Sequence, residues 1–277
     1  MAGASMNDIK ARMKSVGSTM QITRAMELVA TSKLRRAKER AEKTRPFLEE
    51  LGVCLDSILS SDALDGSIYT QKKDGKTLFI IVAGDRGLAG GYNSNVFKLT
   101  EALSAGKDSA VLPIGKKSLE YMKHKGKEIF SEDYSLSSEV GVGDAIELGR
   151  LVTERYLAGE FTSVVLVYTR FVSMMTQTAV YEELLPLEKS GGGRIAEYDS
   201  DPEEMAKRLV SEYAGGVIWS VMCESVASEH GARRTAMNSA NKNAEEMINT
   251  LMLKFNRARQ AVITQEITEI VSGAEAL

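Results

Sequence analysis

The stretch from Pro202 to the C-terminus limits the possible folds more than any other part of the chain. It opens with Asp201-Pro202-Glu203-Glu204, and no proline follows Pro202. Those residues form a helix start. Asp201 can accept the orphan N–H of the third helical residue, and Pro202 suits the first helical position. Glu203 and Glu204 put negative charge at the positive end of the helix dipole. No strong stop follows before Gly273. A continuous helix from Pro202 to Ser272 would be on the order of 105 Å long. A compact domain of this chain's length has a radius of gyration of about 19 Å. Much of such a helix must project from any globule its own chain forms, and its apolar stripe then needs a partner.

A partner is present at the other end of the chain. Residues 5 to about 44 read as a second long helix, with apolar or small residues at Ile9, Met13, Val16, Met20, Thr23, Met26, Ala30, Leu34, Ala37 and Ala41. The mean step is about 3.56 residues, between the 3.5 of a supercoiled seam and the 3.6 of a straight helix. In the C-terminal helix, Met205, Leu209, Tyr213, Val217, Trp219 and Val221 are bulky, as if packed on another body. From Glu224 to Glu246 the residues are mostly small, with Gly231 inside. From Met237 the stripe returns at Ala240, Ala244, Met247, Leu251, Phe255, Ala258 and Val262, with nearly the same step. The matched spacing predicts an antiparallel two-helix coiled coil formed by the N- and C-terminal helices. The C-terminal helix is the longer, so its far end projects alone or enters a socket in a partner. Pro46 is expected to kink or briefly break the first helix. The apolar pattern resumes from Phe47 to Ser60, and Ser60 to Gly75 reads as a linker.

Between the two helices the texture changes to alternating strands and helices. Leu78 to Ala83 is a short, fully apolar run suited to a strand buried on both faces. A glycine-rich loop, Gly84 to Gly91, leads to a helix over Asn93 to Ala105. Strands follow at Ser109 to Ile114, Glu128 to Phe130 and Phe161 to Tyr168, with helices at Lys116 to Lys125 and Gly143 to Leu157. Met174 to Leu187 reads as one more strand, at an edge because Pro186 ends it. Gly191 to Gly193 reads as a flexible joint. The order predicts a small α/β domain with a mostly parallel sheet.

Charge is unevenly placed. Met1 to Arg45 holds eleven Lys/Arg and four Asp/Glu, a balance of +7; the chain totals −3, so the remainder carries −10. The cluster Ser32-Lys33-Leu34-Arg35-Arg36-Ala37-Lys38 reads as a solvated basic face or as a surface for an acidic protein. Nucleic acid is disfavoured, because this helix has no aromatic residue to stack on bases. Cys54 and Cys223 read as small buried hydrophobes in a reducing compartment. No run reaches the ~18 apolar residues of a membrane span, and the N-terminus lacks a signal-peptide core. The expectation is an intracellular protein.

Catalytic and cofactor motifs are poor. Glycines at 84, 87, 90 and 91 do not fit G-x-G-x-x-G, and Gly141-Val142-Gly143 has Ile146 at the last glycine position. Gly75-Lys76-Thr77 lacks the upstream glycine of a P-loop, since Thr70 stands there. The loop therefore reads as structural or partner-contacting. A nucleotide-binding α/β protein with a helical arm stays open as the alternative. His124 and His230 are isolated, with no placed nucleophile and no metal-ligand spacing. No catalytic residue, cofactor or metal site is expected.

Three segments carry a resemblance to a known family. Residues 22–36, ITRAMELVATSKLRR, look like I-T-[KR]-A-M-x-[ML]-V-A-x-S-K. Residues 85–93, DRGLAGGYN, are similar to D-R-G-L-C-G-x-[YF]-N, with Ala89 where many members carry Cys. Residues 257–274, RARQAVITQEITEIVSGA, resemble T-x-E-x-x-[DE]-x-x-x-G-A. Together they resemble the gamma subunits of F-type ATP synthases. The resemblance implies a non-catalytic rotor shaft with three parts: an N-terminal coiled-coil helix over 1–60, a Rossmann-like α/β foot over 75–195 and a long C-terminal helix over 201–277. It implies partners too: the ring of alpha and beta subunits, the epsilon subunit and the ring of c subunits, with the membrane reached only through them. It implies partner contacts at Met26 and at Lys33, Arg35 and Arg36, near acidic loops of beta. Asp85 and Arg86 would belong to the foot, and Arg259, Gln260, Thr264 and Glu266 to the upper bearing. With no transit peptide and no cysteine-bearing regulatory insertion, a bacterial enzyme on the cytoplasmic face of the cell membrane is expected.

Overall fold

The computed structural model describes residues 6–59, 67–134, 137, 140–188 and 201–275. The chain divides into two compact units, one of Met1–Val29 with Arg234–Leu277 and the other of Ala30–Arg233. Helices α1 (Met6–Leu59) and α5 (Pro202–Glu275) each contribute to both units.

The second unit is built on five strands: β1 (Thr77–Val82), β2 (Ser109–Ile114), β3 (Glu128–Ile129), β4 (Ser163–Phe171) and β5 (Gln177–Leu185). Their order is β3-β2-β1-β4-β5. β1 pairs in parallel with β2 and β4, β2 pairs in parallel with β3, and β5 is the antiparallel edge strand. β1 is buried along its whole length, as its unbroken apolar run requires. Successive side chains alternate between faces. Leu78, Ile80 and Val82 join one core with Leu55, Ile58 and Leu59 of α1, Leu148 and Val152 of α4 (Val142–Leu157), and Val210 and Ile218 of α5. Phe79 and Ile81 face a second core with Val96 and Phe97 of α2 (Tyr92–Ser104) and Met122 of α3 (Lys116–His124). Each fully buried aliphatic side chain contributes roughly 1.5–3 kcal/mol, so the sheet is held from both sides.

The first unit is a two-helix pairing. The six expected seam positions of α1 in this unit, Ile9, Met13, Val16, Met20, Thr23 and Met26, are buried or half-buried, as are the four that fall in the second unit. Asn238 and Asn241 of α5 donate side-chain hydrogen bonds to Glu27, and Arg24 pairs with Glu245. Numbers rise along one helix as they fall along the other, so the pair is antiparallel. On α5 the inward positions are Met237, Asn241, Ala244, Ile248, Leu251, Phe255 and Ala258, alternating steps of four and three. That is the heptad rhythm of a coiled-coil seam.

Several expectations need correction. Pro46 does not interrupt α1. It lies on the exposed side, where water can take the Glu42 carbonyl that loses its donor, and Leu55, Ile58 and Leu59 anchor the helix beyond it. Gly273 does not stop α5, which runs to Glu275. Asp201 receives the N–H of Glu203, the second helical residue, at 3.3 Å rather than the third. Cys54 is exposed, because it sits one step off the buried line of Leu55 and Ile58; Cys223 is buried. In α5 the buried line is Ala206, Val210, Ala214, Ile218, Val221 and Met222, while Met205, Leu209, Tyr213, Val217 and Trp219 flank it half-buried. Met247 and Val262 are exposed. The expected joint at Gly191 to Gly193 and the first part of the expected linker, 60–66, lie outside the described residues.

Candidate functional site

The glycine-rich loop after β1 is tied by hydrogen bonds to the elements around it. Gly84 donates its N–H to Asn93 Oδ1 at 3.0 Å, and Asn93 Nδ2 donates to the Arg86 carbonyl at 3.3 Å. Asp85 Oδ1 accepts the Lys116 N–H at 3.1 Å and the Ser137 N–H at 2.9 Å. Asp85 thus caps the start of α3 from another element, supplying the side-chain oxygen that Gly115 before that helix cannot. Gly115 has φ +97°, and a Cβ there would lie 2.1 Å from the Ala83 carbonyl oxygen. Only glycine allows the β1 and β2 loops to approach so closely.

Helix α5 closes over this loop. Tyr92 and Ser225 share a hydroxyl–hydroxyl hydrogen bond of 2.7 Å, buried from solvent. Burial, then the Glu229 charge, push the Tyr92 phenol well above its ordinary range, so it stays neutral. Arg233 Nη2 donates to Glu229 Oε1 at 2.6 Å and to the Gly87 carbonyl at 3.1 Å. Both side chains of that ion pair are only 10% exposed. Arg233 also contacts His230 Nδ1 at 3.2 Å. Desolvation, then the Arg233 and Lys33 charges, hold the His230 imidazole down to about 4.

The expected contact residues fall into four settings. Lys33, Arg35 and Arg36 are exposed on α1, and Arg35 makes a 3.7 Å pair with Glu39. Lys33 and Arg36, with Arg40, form the basic wall of a groove of about 250 Å³ whose other wall is Trp219, Met222, Cys223 and Val226 of α5. Asp85 is engaged within the fold, whereas Arg86 beside it is exposed. Met26 is half-buried on the coiled-coil seam of the first unit, with exposed Ile22, Leu28 and Val29 nearby in the helix. Arg259, Gln260, Thr264 and Glu266 are all exposed. Beyond Ala258 no seam position is buried, and every residue of the tip from Arg259 to Ser272 is exposed. That tip also exposes Ile263, Ile267, Ile270 and Val271, the last three by 56%, 71% and 52%. These apolar residues were missed from sequence, although their spacing along a helix with no remaining partner was the available signal.

The Glu229–Arg233 pair was also missed. An i,i+4 Glu–Arg spacing inside a stretch of small residues was visible, but its burial depends on the loop that folds against it. Among the described residues there is no cluster of His, Cys, Asp and Glu fit to hold a metal ion, and no helix is long and apolar enough to cross a membrane.

The family model described as ATP synthase matches residues 5–277. The chain is 46% identical to the ATP synthase gamma chain of Ruminococcus albus, over 98% of each chain. It is 42% identical to the sodium-ion-specific ATP synthase gamma chain of Acetobacterium woodii, again over 98% of each. Among solved structures, a chain of the rotor of the Euglena gracilis mitochondrial ATP synthase superposes with a TM-score of 0.65 at 16% identity, covering 93% of this chain and 98% of that one. A chain of the Tetrahymena thermophila mitochondrial central stalk and c-ring gives 0.57 at 22% identity, covering 79% and 99%. At those identities the structures report a shared fold.

Proposed function

Because the chain belongs to the ATP synthase gamma-chain family, we propose that it is the rotor shaft of a rotary ATP synthase, carrying rotation of a c-subunit ring to the nucleotide sites of the beta subunits. The single observation that best supports this reading is the tip of α5. Residues 261–272 are exposed on every side although they include Ile263, Ile267, Ile270 and Val271. An exposed apolar helix end of this length is unfavourable in water and calls for a sleeve from another protein. In this reading Arg259, Gln260, Thr264 and Glu266 line the bearing with those apolar residues. Met26, Lys33, Arg35 and Arg36 meet acidic loops of beta, and Arg86 with the loop that Asp85 braces belongs to the foot at 75–195.

The partners are then the alpha and beta subunits, the epsilon subunit and the c-ring, and no nucleic acid. The protein is a peripheral component of a membrane-bound complex, on the cytoplasmic side of a bacterial cell membrane. It carries no active site of its own. The test is native mass spectrometry of the complex isolated from its host. One copy of this chain per three copies of each of two larger nucleotide-binding chains is the expected stoichiometry. Recovery as a monomer free of such chains would overturn the reading.

A further inference from the structure

The strand order holds a reversal. β1, β2 and β3 step one way across the sheet, and β4 returns to the other side of β1. In open α/β sheets the crevice outside the carboxyl ends of the strands at such a reversal is where ligands bind. Here that crevice lies between the end of β1, at Gly84, and the end of β4, at Phe171. The chain's own helix fills it. Glu224 Oε1 accepts the Phe171 N–H at 3.2 Å on the β4 side. Ser225 bonds Tyr92, the first residue of α2, at 2.7 Å. One turn further along α5 the Glu229 side chain reaches the β1 side, and a Cβ on Gly84 would lie 2.9 Å from its carboxyl carbon and 3.0 and 3.1 Å from its two oxygens.

We propose that this crevice is an oxyanion-binding site whose resident ligand is the Glu229 carboxylate, and that a small free carboxylate or phosphate binds there once that side chain is removed. The surroundings have the chemistry of such a site. Gly84 presents bare backbone, so an anion can approach as no larger residue would permit. Arg233 supplies a guanidinium, itself nine-tenths buried and held in place by the Gly87 carbonyl. Planar guanidinium donors suit carboxylate and phosphate oxygens, and burial strengthens the attraction by excluding water. His230 Nδ1 accepts a hydrogen bond from Arg233 Nη1 at 3.2 Å, which helps to orient the guanidinium. Docking of α5 on the sheet is then ligand binding made intramolecular, and it accounts for the bare backbone at Gly84.

The experiment is thermal unfolding of the full-length Glu229→Ala chain in sodium acetate, in inorganic phosphate and in sodium chloride at matched ionic strength. Loss of the buried carboxylate leaves Arg233 unpaired, and Tm is expected to fall by on the order of 10 °C. Acetate or phosphate should restore it saturably, by half or more, where chloride does not. Acetate acting alone identifies a carboxylate site; both acting identifies a general oxyanion site. Wild type and Glu229→Gln, which keeps the crevice filled, should not respond. Equal response to chloride, or no rescue by either anion, overturns the proposal. A second measurement covers the case in which Glu229→Ala does not fold. Gly84→Ala should lower Tm in wild type and at most half as much in Glu229→Asp, whose shorter side chain withdraws the carboxylate. An equal effect in both backgrounds also overturns it.

Discussion

Gly149 of α4 and Gly215 of α5 meet backbone to backbone. A Cβ on Gly149 would fall 2.3 Å from the Gly215 nitrogen, and one on Gly215 would fall 2.7 Å from the Ile146 Cα. Backbone cannot move aside as the end of a flexible side chain can, so an added methyl must push the helices apart and open the core beneath them. Gly149→Ala is expected to lower the unfolding free energy by about 3 kcal/mol in a denaturant titration. Gly143→Ala in the same helix meets nothing within 4 Å and is the control. It should be neutral or stabilising by roughly 0.5–1 kcal/mol, since alanine loses less backbone entropy in a helix. Equal destabilisation by both would show that the Gly149–Gly215 contact is not what matters.

Asn241 supplies the polar layer of the coiled-coil seam. It is buried, accepts a hydrogen bond from Thr23 Oγ1 and donates one to Glu27 Oε2 at 2.8 Å. A single buried polar residue in a seam fixes register at some cost in stability. Asn241→Ala removes both bonds and should weaken the pairing by about 1–2 kcal/mol. Faster amide exchange in residues 6–29 and 234–258 would register that loss. Asn241→Leu should keep or raise stability while register fixation is lost, visible as a second set of cross-helix distances in spin-label measurements. A single unchanged register in that variant would remove the role assigned to Asn241.

These two contacts also show what the sequence could and could not reveal. The seam of α1 was legible at every position, because a helix paired along one narrow line must repeat near 3.5 residues. β1, β2 and β4 were legible from apolar runs, and β5 as an edge from Pro186. In the first part of α5 the bulky residues Met205, Leu209, Tyr213, Val217 and Trp219 do pack against the core, half-buried, as expected. The fully buried line beside them, Ala206, Val210, Ala214 and Ile218, was not legible from size. Helices that meet at glycines put small residues where they are closest. Met247 was preferred over the inward Ile248 for want of the phase that its partner sets. The Glu229–Arg233 lock required knowing that Gly84 and Gly87 come beneath α5, which no local pattern encodes.

His230 gives the fold an acid-sensitive contact. Its imidazole is held down to about 4, by burial first and then by the Arg233 and Lys33 charges, against about 6.5 in the unfolded chain. Below pH 6.5 the unfolded chain takes up a proton that the folded one refuses. The residue's contribution is therefore complete above about 6.5 and falls as pH drops toward about 4, with no further loss below that. Because the ring is half-buried and solvent screens it, the loss is on the order of 2 kcal/mol across the window. Glu224 acts with the opposite sign, since burial pushes its carboxyl up and the folded state gains as that proton binds. The informative comparison is His230→Gln against wild type at each pH. Their stability difference should change between pH 6.5 and 4 and stay constant above 7. A constant difference throughout would remove the titration from the account.

The two thiols should differ sharply in reactivity. Cys54 is exposed, whereas Cys223 is buried and its thiol is pushed up to about 11, chiefly by desolvation. The thiolate is the reactive form, so Cys223 is doubly protected. Native chain treated with a disulfide reagent at pH 8 should release one equivalent quickly and a second only on unfolding. Cys54→Ser should abolish the fast phase. A surviving fast phase in Cys54→Ser would mean that α5 opens around Cys223 on the timescale of the assay.

Removing the tip separates the proposed bearing from the fold. Residues 261–272 of α5 are exposed throughout and contribute nothing to the buried cores around the sheet. Deleting Thr264 to Leu277 should therefore leave the cooperative melting of the α/β unit within about 1 °C of the full chain, since 1 kcal/mol shifts Tm by only about 2–4 °C at this size. The deletion takes away Ile267, Ile270 and Val271, three large apolar side chains exposed by half or more. If a sleeve of alpha and beta subunits buries them, each contributes roughly 1.5 kcal/mol or more. Affinity for the isolated ring of those subunits should then fall by at least tenfold, where 1.4 kcal/mol is a factor of ten. The Arg259→Ala and Gln260→Ala changes, at the base of the tip, should each weaken it less. Unchanged affinity in the deletion would remove the bearing role from these residues. Lost α/β melting would show that the tip supports the fold instead.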